Sequence, residues 1–235
     1  MTTAAHPRDE AQQDRDAGRM TVRRFMYENG LSIVLLGVFL ACWALQIIFG
    51  LRAYNEEQQE HGQAQITLTK YLTTGHFIEA TAENWESEFL QMGAFVWLTA
   101  FLYQKGSPES KDPYDPEEHE PPVSDESPWP VRKGGWILAV YSRSLTLAFL
   151  LMFLVSFAVH AVGGAWAYSE DQIEHGQQAV SILQFMSRSE FWFQSFQNWQ
   201  SEFLAILAMV VLAIFLRHKD SAESKPVTAP HHVNE

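Results

Sequence analysis

The chain has 235 residues, 47% of them apolar and 13% aromatic, with ten prolines and a single cysteine, Cys42. That is too apolar for a disordered chain and too poor in cysteine for a disulfide scaffold. The 28 Asp and Glu outnumber the 16 Lys and Arg, giving a formal charge of -12, so no basic surface is on offer to a nucleic-acid backbone.

Residues 1–22, rich in Asp, Gln, Arg and Ala, read as a cytoplasmic tail. Residues 31–51 carry no charge over 21 positions, enough helix to cross a hydrocarbon layer of about 30 Å. A first transmembrane helix is predicted there. Glu- and Gln-rich stretches at 54–61 and 168–175, closed by Gly62 and Gly176, extend the first and third spans beyond the lipid. Residues 66–72 and 180–186 are too short to cross and read as re-entrant or surface segments. The uncharged runs at 89–103 and 203–216 are short, so each helix must begin upstream, giving spans at about 85–104 and 199–217. A second long apolar run fills 145–166, with His160 its one ionisable group and Gln46 at the matching place in the first span. Between the halves, residues 112–133 form an acidic, proline-rich linker. Residues 226–235 read as a disordered tail.

The spans belong to an internal repeat. AYNEEQQEHGQ at 53–63 returns as AYSEDQIEHGQ at 167–177, and NWESEFLQ at 84–91 returns as NWQSEFLA at 198–205. At this offset of 114, residues 53–111 match 167–225 at 25 of 59 positions without a gap. The fold class expected is therefore all-α: a polytopic membrane four-helix bundle made of two tandem, parallel two-helix repeats, 23–111 and 134–225. Lys and Arg gather on one side of these four spans, which places both termini and the central linker in the cytoplasm.

Two constellations are candidates for chemistry. Glu57 and His61, like Asp171 and His175, lie one helical turn apart and offer oxygen and nitrogen ligands to a divalent metal. Solubility and the helix dipole account for the same residues, and no zinc-protease spacing is present. Asn84 with Glu88, and Asn198 with Glu202, share helical faces near the apolar edge. The lower solvation cost puts the two glutamates at the interface; drawn together, they would resist simultaneous ionisation and could serve a proton or a cation. Tying the helices together explains the same polar groups. No nucleotide-binding glycine motif, nucleophile elbow or Cys-x-x-Cys pair is present, which leaves the divalent metal as the one candidate cofactor.

Through AYNEEQQEHGQ, NWESEFLQMGAF and FLYQKGSPESK, the chain resembles a family of small bacterial membrane proteins classed as a domain of unknown function. The resemblance covers residues 23–111 and 143–225. It implies a bacterial inner-membrane location and no catalytic residue. Two functions follow as expectations: a membrane protein binding or conducting a cation or proton through an acidic outer vestibule, or a noncatalytic scaffold or accessory subunit. Lipids are the expected surroundings, with a second copy or a membrane complex as candidate partner.

Overall fold

A computed structural model describes residues 22–114 and 121–234. The expected N-terminal tail, apart from its last residue, and six residues of the linker lie outside them. The chain divides into two compact units, residues 1–68 and 69–235.

In the first unit, α1 (Val22–Glu28) leads through Asn29 into the 31-residue α2 (Gly30–Glu60). The uncharged stretch makes the body of α2, and the Glu and Gln residues after it prolong the helix at little cost in propensity. Gly62 ends it with φ +71°, a left-handed turn that a side chain would strain. The Asn55 side chain then pins the returning chain, accepting from Ile66 N at 2.7 Å and donating to Ile66 O at 3.1 Å.

The remaining helices are α3 (Leu68–Tyr71), which begins at the boundary, α4 (Gly75–Leu98), α5 (Trp129–Lys133), α6 (Gly135–Tyr141), α7 (Ser144–Glu174), α8 (Ile182–Met186) and α9 (Ser189–Phe215). Thr74 caps α4 by accepting from Phe77 N, and a Ser181/Gln184 capping box starts α8. The segments read as re-entrant or surface pieces thus contain the short helices α3 and α8. Gly176, at φ +71°, ends α7, and Ser169 ties down Val180 as Asn55 does Ile66.

The expected bundle of four spans in two tandem hairpins is not what forms. The described residues hold nine helices, and three of them, α2, α7 and α9, are long and apolar enough to cross a membrane. The expected second span fails because α4 takes its upstream turns from a polar stretch. It carries His76, Glu79, Glu83, Glu86 and Glu88, and it stops at Leu98. Its apolar part, 89–98, is ten residues or about 15 Å, half of a hydrocarbon core. What holds α4 is protein: it lies along α7 and makes a smaller contact with α9.

At the far ends of α4 and α9, residues 104–111 and 218–225 form two turns with the same bonds. Ser110 Oγ accepts from Gln104 N, and Ser224 Oγ accepts from His218 N. Residues 226–234 run back over this region. The buried Lys225 ammonium donates to the carbonyls of Gly106, Pro230, His231 and Val233. Asn234 accepts from Gly106 N and donates to the carbonyls of Gln104, Ser110 and Lys111.

Candidate functional site

The seam between α4 and α7 is made by missing side chains. A Cβ on Gly75 would lie 2.8 Å from the Gly163 carbonyl, one on Gly163 would lie 2.7 Å from Glu79 N, and one on Gly164 would enter the Phe185 ring. With Ala161 and Ala165 beside them, these glycines let the two backbones touch, as small residues do between helices in lipid. Phe185 and Phe191 close the seam, packing with Ala161 and Ala165 into the buried apolar cluster.

Into this close contact the helices bring two ionisable groups, Glu86 of α4 and His160 of α7, both 0% exposed. Glu86 Oε2 lies 2.8 Å from His160 Nδ1, and Glu86 Oε1 accepts from Trp199 Nε1 at 2.9 Å. The Phe191 ring stacks on the imidazole at 4.8 Å. His160 Nε2 lies 3.3 Å from Gln194 Oε1, and Gln194 Nε2 donates to Glu79 Oε1 at 2.8 Å. Glu83, between Glu79 and Glu86 on the same face of α4, shares a hydrogen bond with Asn198. His160 precedes the end of its uncharged run, Trp166, by six residues, so the centre lies about 9 Å inside the apolar edge.

The Gln194 amide turns its nitrogen to Glu79 and its oxygen to the ring, an orientation that pairs with His160 Nε2 as the donor. Nδ1 then faces a carboxylate oxygen at 2.8 Å, a contact that is attractive only with a hydrogen between the two atoms. Two arrangements satisfy it: imidazolium with carboxylate, or neutral imidazole with carboxylic acid. Removing that hydrogen leaves two lone pairs facing each other in a buried site, and the contact must open.

The residues singled out from sequence lie elsewhere. Asn84 is exposed and bonds back to Ala80 O, while Asn198 is half-buried and bonds back to Gln194 O. Glu88 is exposed, near enough for its charge to reach Glu202. Glu202 is half-buried, and its backbone carbonyl accepts from Gln91 Nε2 at 3.2 Å. Glu57, His61, Asp171 and His175 are all exposed, and each histidine bonds the backbone carbonyl of its own acidic neighbour. Among the described residues no metal-binding group of three or more His, Cys, Asp or Glu occurs, and no acidic vestibule is evident. Of the groups in the buried centre, His160 was visible in the sequence as an ionisable side chain in an apolar run. Glu79, Glu83, Glu86 and Gln194 were missed.

Three helices of crossing length and composition make this a multi-pass integral membrane protein. The chain belongs to the family described as a domain of unknown function, DUF6766, which it matches over residues 22–235. No curated protein and no solved structure matches it.

Proposed function

We propose that the protein binds and releases a proton at the Glu86–His160 centre within the membrane. The observation that carries this reading is the 2.8 Å contact between a carboxylate and an imidazole nitrogen, both fully buried, with Gln194 oriented to accept from the other ring nitrogen. An intramembrane ionisable pair is costly to keep and is used for proton relays or counter-ions far more readily than for packing. Glu79 and Glu83 supply further carboxylates along α4, at positions other than the Asn84, Asn198, Glu88 and Glu202 singled out from sequence. Proton binding accordingly rests on the buried centre, and a metal at Glu57, His61, Asp171 or His175 has no second support.

Infrared difference spectra of the full chain in lipid, recorded between about pH 4 and pH 9, test this directly. A Glu86-dependent change on acidification, either a new protonated-carboxyl band or a shift of the carboxylate stretches as the imidazole takes the proton, lost in Glu86→Gln and displaced in His160→Gln, is the expected result. A spectrum without an Glu86-dependent band overturns the proposal and leaves the accessory-subunit reading, in which the polar centre only joins helices.

A further inference from the structure

Building on that reading of the centre, we infer that Glu86 and His160 exchange their proton with one side of the membrane only, the side where α4 and α9 begin, through a water molecule held by Ser195. Ser195 is 1% exposed, yet its Oγ has no hydrogen-bond partner among the described residues. It stands four residues after Phe191, whose ring stacks on His160, and four before Trp199, whose indole donates to Glu86. One face of α9 therefore carries the hydroxyl between the contacts to both members of the pair. A buried water needs several polar neighbours, and Ser195 Oγ offers one on the face of α9 that also bears the contacts to His160 and Glu86.

Toward the start of α4 the titratable groups continue. Glu83 and Glu79 follow on the same helix, Gln194 joins Glu79 to the imidazole, and the exposed Glu190 at the start of α9 lies near enough for its charge to reach Glu79. The short α8, packed on the same region, brings Phe185 and no ionisable side chain. In the other direction α4 and α7 meet around an apolar cleft of about 330 Å³, whose lining includes Phe89, Leu90, Leu150 and Phe153 and holds no titratable group. Glu202, a turn beyond Trp199, has Glu88 as its charged neighbour and not the pair. A proton that reaches Glu86 has carriers behind it and an apolar cleft without a titratable group ahead.

The experiment uses the full chain labelled with 5-fluorotryptophan in lipid nanodiscs, with the Trp199 resonance assigned by Trp199→Phe. Its indole donates to Glu86, so the resonance reports the protonation of the centre. The expected result is one pH step in the native chain, absent in Glu86→Gln. Ser195→Ala keeps the step and slows exchange between its two forms by about tenfold or more, and Ser195→Thr restores it. In proteoliposomes under a pH gradient, the native protein adds no sustained proton flux. A native resonance without a step sinks the proton-binding centre itself. With the step present, unaltered exchange in Ser195→Ala overturns the water, and a sustained flux that Glu86→Gln abolishes overturns the one-sided access.

Discussion

His160 keeps its present neighbours only while a hydrogen lies between it and Glu86, and that requirement ties the stability of the site to its chemistry. Replacing one member, as in Glu86→Ala or His160→Leu, leaves the other buried without its partner and is expected to destabilise the protein by about 3–5 kcal/mol. The double variant Glu86→Leu/His160→Leu should cost clearly less than the two single losses together, since it strands neither charge. Reversible unfolding in mixed micelles measures the three values, and strictly additive losses would show that the two side chains do not act as a pair. The same residues explain what the sequence concealed. Asn84, Ser87 and Glu88 drew attention because Asn198, Ser201 and Glu202 repeat them. Glu86 stands opposite Gln200 and His160 opposite Gln46, so the ionisable pair is assembled from positions where the two copies differ. Self-similarity marks what both halves need to fold, and it is blind to a contact that only one combination makes.

At the scale of elements, an uncharged run located the second helix at about 85–104 but not its start or its role. Thr74 caps it at Gly75, well upstream, and hydropathy alone cannot tell an apolar half-helix in lipid from one laid against protein. The seam with α7 decides the matter, and it depends on side chains that are absent, which leave no periodic signal. Its demand for glycine is strict at Gly163. Gly163→Val would force α4 away from α7 at Glu79 and stretch the Glu86–His160 contact two turns further along α4, costing about 1–3 kcal/mol through overpacking. Thermal unfolding in detergent together with the Trp199 fluorine resonance reads both effects. Native stability combined with an unmoved resonance would show that the seam tolerates the bulk.

For the whole molecule, three spans and a polar α4 replace the symmetrical plan that the repeat suggested, while the all-α membrane character was plain from uncharged runs of crossing length. The turns that end α4 and α9 meet outside the spans, where the Glu109 and Glu223 carboxyls share a hydrogen bond. Burial first, and then the Glu223 hydrogen bond and charge, hold the Glu109 carboxyl above the ordinary glutamate range. The folded state therefore binds more proton than the unfolded one across that window. The stabilisation is complete below the ordinary carboxyl pKa and is lost as pH rises through the raised one. Hydrogen-exchange protection of residues 104–111 and 218–225 should fall with rising pH over this range, and Glu109→Gln should flatten the profile. An unchanged profile in that variant would remove Glu109 from the linkage.

The clasp closed by Lys225 and Asn234 also sets an order of events during biogenesis. The loop at 104–111 leaves the ribosome before α7 and α9 have been made, whereas the side chains that fasten its carbonyls belong to the last residues described. Until residues 225–234 have been made, that loop must wait with its acceptors in water. Sealing it therefore follows the synthesis of α9, and a nascent chain stalled just after α9 would carry its helices with the latch still undone.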